Sequence, residues 1–293
     1  MTVTGAVEAR WGESGVWTDL VTTDLTFSGT IENQSPGQKT LWVRMKNDID
    51  RCDFAHYVGV GDNFVVAGQS NASGRAINNQ TYSNATLKAT MFANDFVWKE
   101  LADPTDSNIG QIDAVSSETG AAGSIWPIIA DSIMANYNIP VGIIPCAMGG
   151  TSLWQWLPGV DHTDRATLYG SMKYRAANVG VKAVLWWQGE SDAYYCITQA
   201  AYNTDFDVIV NAINTDLSVK LMPVLLQNSS GQADTCEAKI RAAISEAWGD
   251  NANVLVGPDF SDLTSDDDAH LITNAKIDSA ANRFWRKIRD NIY

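Results

Sequence analysis

A serine closing an apolar run, and an aspartate three residues ahead of a histidine, are the residues best suited by type and spacing to covalent chemistry. Phe64-Val65-Val66-Ala67 leads into Gly68-Gln69-Ser70-Asn71, and Asp267 precedes His270 by three positions. A serine hydroxyl is a weak nucleophile at neutral pH unless a base takes its proton, and a histidine base works best when an acid holds its ring. The chain has three histidines, His56, His162 and His270. We assign the base to His270, which has Asp267 within its own loop, and read His56 and His162 as structural or surface residues. Alone, Asp266-Asp267-Asp268 would read as a solvated acidic loop or a calcium site, and Gly-x-Ser as a plain turn.

Two further segments carry groups that could serve the same chemistry. Gly149 and Gly150 let backbone approach a ligand closely and offer N–H donors to a developing oxyanion. Gln188 could add a side-chain amide, and Glu190 an acid that competes with Asp267 or shares its role. Asn71, Trp154 and Trp156 are candidate substrate contacts, the tryptophans as faces for a sugar ring. Packing under the 151–160 loop is the equally ordinary role for that pair.

These groups need a frame. Val65-Val66-Ala67, Val141-Gly142-Ile143-Ile144, Ala183-Val184-Leu185-Trp186, Val224-Leu225-Leu226 and Val254-Leu255-Val256 are short continuous apolar runs. Such runs suit strands buried on both faces. Helical spacing separates them, at Ile125/Ile129/Ile133, Tyr202/Phe206/Ile209/Ile213, Ile240/Ile244/Trp248 and Ile277/Phe284/Ile288. Alternating strand and helix predicts a parallel sheet between helices, and ligand sites then form beyond the carboxyl ends of the strands. Ser70, Gly149-Gly150 and Gln188-Glu190 each follow an apolar strand directly, and Asp267/His270 follow the last one. Trp186-Trp187 read as core.

Residues 1–60 differ. Leu25, Phe27 and Ile31, then Leu41, Val43 and Met45, alternate with polar residues and predict a β-rich appendage or part of a larger sandwich, with the main domain at 61–293. Residues 71–120 are long, Asn/Ser/Thr-rich and irregular, with a hairpin expected near Asn94-Asp95; such a stretch is uncommon unless it borders a site.

The 293 residues carry 34 acids against 20 bases, a formal charge of −14. That surface repels phosphate backbones and anionic lipid, so nucleic-acid and membrane partners are not expected. No apolar run reaches the roughly eighteen residues of a membrane span. Met1-Thr2-Val3-Thr4-Gly5 has neither the basic nor the apolar part of a signal peptide. Cys52, Cys146, Cys196 and Cys236 lack metal-type spacing, so no metal is expected. Their even number permits disulfides, with Cys196–Cys236 one loop-to-loop pairing, or four unpaired thiols. Asn-x-Ser/Thr triplets at Asn71, Asn79, Asn84 and Asn228 read as chance, since a glycan on Asn71 would cover Ser70.

Gly68-Gln69-Ser70-Asn71, Gly149-Gly150-Thr151-Ser152-Leu153, Trp187-Gln188-Gly189-Glu190-Ser191 and Asp267-x-x-His270 together resemble the four sequence blocks of the SGNH hydrolases, nearest to the sialate O-acetylesterase and acetylxylan-esterase-like branch. The resemblance spans roughly residues 60 to 290. It implies a flavodoxin-like three-layer α/β/α fold, no cofactor, and removal of O-acetyl groups from a carbohydrate such as sialic acid, xylan or a surface polysaccharide. By position it makes Ser70 the nucleophile, His270 the base and Asp267 its acid. The Ser70 N–H, the Gly149-Gly150 turn and Gln188 would then form the oxyanion hole. The competing readings are a lipid or aryl esterase on the same scaffold, and a catalytically dead carbohydrate-binding module of an adhesion fibre. An extracellular, periplasmic or virion setting, with homo-oligomer or fibre assembly, is the accompanying expectation.

Overall fold

Trp186 and Trp187 are consecutive in one strand, so their side chains leave opposite faces of the sheet. Both are buried, and their neighbours reveal the layers. A computed structural model describes residues 5–116, 118–177, 179–229 and 234–293; Met1-Thr2-Val3-Thr4, read above for a leader, lie outside them. In chain order the elements are β1 (Val7–Trp11), β2 (Thr18–Thr23), β3 (Thr26–Ser28), β4 (Gly37–Met45), β5 (Asp48–Val60), β6 (Asp62–Gly68) and α1 (Ser70–Ser73). Then come β7 (Thr90–Phe92), β8 (Trp98–Glu100), α2 (Trp126–Tyr137), β9 (Val141–Pro145), α3 (Leu168–Ala177) and β10 (Ala183–Trp187). The chain closes with α4 (Glu190–Tyr194), α5 (Gln199–Leu217), β11 (Leu221–Pro223), α6 (Asp234–Asp250) and α7 (Asn274–Ile292).

Two sheets form. The first runs β3-β2-β1-β4-β5 and is antiparallel throughout. The second runs β11-β10-β6-β9-β7-β8, parallel except for β8, which returns antiparallel to β7. The hairpin expected near Asn94-Asp95 is this β7–β8 pair, added at the sheet's edge. From β6 the chain goes to β7, β8 and then β9 on one side, and afterwards to β10 and β11 on the other. β6 is therefore the switch point of the sheet, where a crevice opens beyond the strand ends.

Trp186 packs edge-on against Trp156, centroids 5.1 Å apart. Trp187 packs on Phe260 at 5.0 Å, which leads to Phe284 of α7 and Trp126 of α2. Helices thus cover both faces, and β9 and β10 are buried along their whole lengths. Burying one such large apolar side chain stabilises by about 1.5–3 kcal/mol. The isoleucine repeat at 125, 129 and 133 forms the buried stripe of α2, which ends where Asn138 turns left-handed and its N–H donates to the Met134 carbonyl at 3.0 Å.

Three expected strands shift. The run 224–226 lies just past its strand, which occupies Leu221–Pro223. The run 254–256 makes one parallel bridge, Leu221 to Val254, instead of a strand. Its ladder includes Leu255 N–H to the Leu221 carbonyl at 2.8 Å. The next donor in that row would be residue 223, a proline without an N–H. In the first sheet, Leu25 sits in the tight β2–β3 turn beside Asp24 at φ 52°, outside the alternation expected for it. Ile31 also falls outside the strands.

Candidate active site

The β6 strand must turn sharply to present a side chain at the crevice. Gly68 makes the turn at φ 125°, packed so closely on β10 that a Cβ would lie 2.0 Å from the Trp187 carbonyl oxygen. The Gln69 N–H then donates to that carbonyl at 2.9 Å, and the Met148 N–H donates to the Gly68 carbonyl at 2.9 Å. Gln69 Oε1 accepts from the Ser191 N–H at 3.1 Å. The ends of three parallel strands are thereby bound to one another immediately beneath Ser70, the first residue of α1.

Ser70 Oγ lies 2.8 Å from His270 Nε2, and His270 Nδ1 lies 2.8 Å from Asp267 Oδ2. The other Asp267 oxygen accepts from the backbone N–H groups of Ala269 at 2.9 Å and His270 at 2.7 Å. The loop therefore fixes the carboxylate before it touches the ring, which explains the three-residue spacing. Burial alone would raise the Asp267 pKa, but the Ala269 N–H, the His270 ring and the His270 N–H outweigh it and hold the carboxyl below its usual range. An ionised Asp267 places the proton on Nδ1 and leaves the Nε2 lone pair for the serine hydroxyl.

Asn71 and Glu190 hold this loop in place. Asn71 Nδ2 donates to Glu190 Oε1 at 2.6 Å and to the Ala269 carbonyl at 3.0 Å, while Asn71 Oδ1 accepts from the Leu271 N–H at 3.2 Å. Gln227 adds a 2.8 Å bond to the same Ala269 carbonyl and a 3.1 Å bond to Glu190 Oε1. The Asn71 amide is thus spent on the protein, which removes it from the expected substrate contacts. Glu190 makes no hydrogen bond to His270; Asp267 makes it. Burial pushes the Glu190 carboxyl up, against the pull of Asn71 and Gln227.

The expected oxyanion donors separate. Gln188 is 0 % exposed, and its amide donates to Asp192 Oδ2 and, at 3.1 Å, to the Thr151 carbonyl. Asp192 also accepts from the Leu153 N–H at 3.0 Å. Gln188 and Asp192 therefore clamp the 151–153 loop, and the amide faces away from the crevice. The Gly149 N–H donates to Glu118 Oε2 at 2.5 Å. The N–H groups of Ser70 and Gly150 make no hydrogen bond among the described residues, and both residues line the crevice. Those two backbone donors are the ones placed to meet an oxyanion.

Trp156 is 0 % exposed, with its indole N–H on Thr151 Oγ1 at 3.0 Å, so it belongs to the core and offers no sugar platform. Trp154 is 63 % exposed but lies outside the crevice walls. The aromatic wall is instead Tyr194 and Tyr195, both exposed, with rings 5.2 Å apart and nearly perpendicular. Arg75 and Glu118 complete the cleft of about 600 Å³. These four escaped the sequence reading. The tyrosines lie within six residues of Glu190, a position that could have flagged them. Arg75 and Glu118 come from the irregular 71–120 segment, which brings them in without local periodicity. Cys196, next to Tyr195, is disulfide-bonded to Cys236.

A family model described as carbohydrate esterase, sialic acid-specific acetylesterase matches residues 60–287. A probable carbohydrate esterase of Arabidopsis thaliana is 25% identical over 234 residues, covering 73% of this chain and 85% of that protein. The X-ray structure of an Arabidopsis thaliana protein superposes with a TM-score of 0.60 at 22% identity, over 80% of this chain and 99% of that one. A carbohydrate acetylesterase from Xanthomonas citri gives 0.63 at 16% identity, over 100% of this chain and 70% of that one. The two structures share the fold.

Proposed function

Because the chain belongs to the carbohydrate esterase family of sialic acid-specific acetylesterases, we propose that it removes O-acetyl groups from a carbohydrate through an acetyl-Ser70 intermediate. The observation that carries this reading is the unbroken chain Ser70–His270–Asp267, with 2.8 Å at each link. Ser70 Oγ attacks the acetyl carbonyl while His270 Nε2 takes its proton, and Asp267 stabilises the imidazolium that forms. The tetrahedral oxyanion is met by the N–H groups of Ser70 and Gly150. On collapse, His270 returns the proton to the departing sugar oxygen, leaving acetyl-Ser70. A water, deprotonated by His270, then attacks the acetyl carbon and releases acetate and free Ser70.

In this reading residues 61–293 are the esterase domain, of flavodoxin-like three-layer form, and residues 1–60 are an appendage. The polar lining, with Gln69, Ser191 and Asp268 in the walls, suits an acetyl group on a sugar better than a long acyl chain. The Cys196–Cys236 bond supports a setting outside a reducing cytosol. No helix among the described residues is long and apolar enough to cross a membrane.

The test is acetate release from p-nitrophenyl acetate and from a panel of acetylated polysaccharides, for the parent, Ser70→Ala and His270→Ala. Parent activity lost in both folded variants, with an acid-trapped acetyl group on Ser70 by mass spectrometry, is the expected result. Full activity in Ser70→Ala would overturn the assignment. An inert parent that binds the polysaccharides would turn the reading to a binding module.

A further inference from the structure

The cleft walls hold one arginine, Arg75, and no lysine among the described residues. Recognition of a sugar carboxylate calls for a cation with free donors, most effectively the planar fork of an arginine. Arg75 is already engaged. Its NH2 group sits 3.0 Å from Glu118 Oε1, and its NH1 group donates to the Gly74 carbonyl at 2.8 Å. Glu118 is the more buried of the pair and is locked from several sides. Its oxygens also accept from the N–H groups of Gly120 at 2.7 Å and Gly149 at 2.5 Å, and from Ser73 Oγ at 3.3 Å. Gly149 packs so tightly on it that a Cβ would lie 2.5 Å from Glu118 Oε2. Nothing in this arrangement lets the carboxylate swing away to free the guanidinium for a ligand.

The remaining charges in the walls are negative. Asp268 is an exposed carboxylate of the wall and Glu190 a buried one, while Asp267 bonds the His270 ring from outside the wall residues. The same wall includes the exposed rings of Tyr194 and Tyr195, suited to the apolar face of a pyranose and to hydroxyl contacts.

We propose that the cleft selects uncharged acetylated sugars and discriminates against acidic ones, because Glu118 neutralises Arg75 and Asp268 adds a negative charge at the rim. The proposal rests on the esterase reading above, specifies its substrate class, and sets this chain apart from the acidic sugar in its family's description. The Glu118–Arg75 pair is then a specificity determinant: it cancels the one charge in the walls that an acidic sugar would need.

The experiment compares kcat/KM for the O-acetylated methyl glycosides of glucose and glucuronic acid, a pair differing in one carboxylate, with O-acetylated N-acetylneuraminic acid as a third probe. p-Nitrophenyl acetate serves as the common control. At low salt the glucoside should be favoured by about tenfold or more, mostly through KM, and the gap should narrow as salt screens the repulsion. Glu118→Gln uncovers Arg75, so the acidic-to-neutral ratio should rise about tenfold even if absolute rates fall. The salt series needs no variant and stands if Glu118→Gln does not fold. Equal or better turnover of the acidic sugars by the parent overturns the proposal and leaves the esterase reading intact. A ratio unmoved in folded Glu118→Gln also overturns it. Hydrolysis of none of the probes, the control included, overturns both.

Discussion

The two sheets of this molecule are built on opposite terms. In the parallel sheet, β9 and β10 are buried along their lengths, and aromatic contacts of Trp186 and Trp187 tie β10 to the layers on either side. In the antiparallel sheet, Val7 and Met45 form the fully buried cluster, and β5 is exposed along most of its length. Val21, Ile49 and Phe54 face solvent there. Cations stack on a ring there, with Arg44 3.8 Å and Arg10 4.8 Å from the Trp17 centroid. Each such contact is worth about 0.5–1 kcal/mol when exposed. A site needs groups held within a few tenths of an ångström, and only the doubly covered sheet supplies that rigidity. Ser70 and His270 meet at 2.8 Å although 200 residues separate them.

The largest difference should be in turnover. Ser70→Ala and His270→Ala are each expected to lower kcat by about four orders of magnitude or more. Phe54→Ala, on the antiparallel sheet, should leave kcat for p-nitrophenyl acetate within about twofold. A large loss in Phe54→Ala would break the contrast by tying the first sheet to the chemistry. The same assay separates the two carboxylates near His270. Asp267→Asn should cost about a hundredfold to ten-thousandfold, because the amide cannot hold the ring proton on Nδ1 in the same way. Glu190→Gln keeps an oxygen for Asn71 and Gln227 to donate to, and should stay within about tenfold. Equal losses in the two variants would make Glu190 a direct partner of the ring.

Next in size is stability. Phe64, fully buried in β6, should cost about 3–5 kcal/mol when replaced by alanine, from lost burial plus the cavity left behind. Ile49→Ala on exposed β5 should change stability by less than about 0.5 kcal/mol. Denaturant melts of the two variants check this. A cost above about 2 kcal/mol for Ile49→Ala would show that the exposed sheet has a partner face in solution.

How far the sequence could be read follows the same divide. Continuous apolar runs marked β6, β9 and β10 because burial on both faces leaves no room for polar alternation. Asp267 and His270 could be paired because their three-residue spacing is local, and Ser70 stood out because it directly follows the apolar run of β6. What failed was orientation. Gln188 follows its strand as expected, yet its amide turns inward to Asp192 and Thr151. Residue type cannot tell an amide aimed at substrate from one that satisfies a buried carboxylate. Asn71 misled in the same way. Trp156 and Trp154 lie two residues apart and face core and solvent respectively, while the exposed aromatic rings of the cleft wall are Tyr194 and Tyr195. Arg75 and Glu118 were out of reach because their pairing spans an irregular segment with no period to follow.

The smallest effect expected tests how the His270 loop is anchored. Asp266 accepts from the N–H groups of Ile272 at 2.7 Å and Thr273 at 2.9 Å, and pairs with Lys276 at 2.6 Å. It thereby supplies an anion at the start of α7, where Thr273 makes no side-chain cap of its own. Its N–H donates to the His270 carbonyl at 2.8 Å, so one residue fastens both the helix and the loop. Burial works against its ionised form, but Lys276 and the two N–H groups prevail and bring its pKa down to about 2. A carboxylate depressed in the folded state contributes stability that is fully present above its unfolded value near 3.9 and is lost as pH falls toward the folded one. Asp266→Asn should therefore destabilise by about 1 kcal/mol at pH 7, a figure discounted for solvent screening of a loop at the surface. The difference from the parent should shrink as pH falls from about 4 toward 2 and the parent's carboxylate takes up its proton. Urea midpoints at pH 7, 4 and 2.5 measure it. A difference that persists undiminished at pH 2.5, well below the unfolded value, would mean that something other than the carboxylate's charge holds the loop.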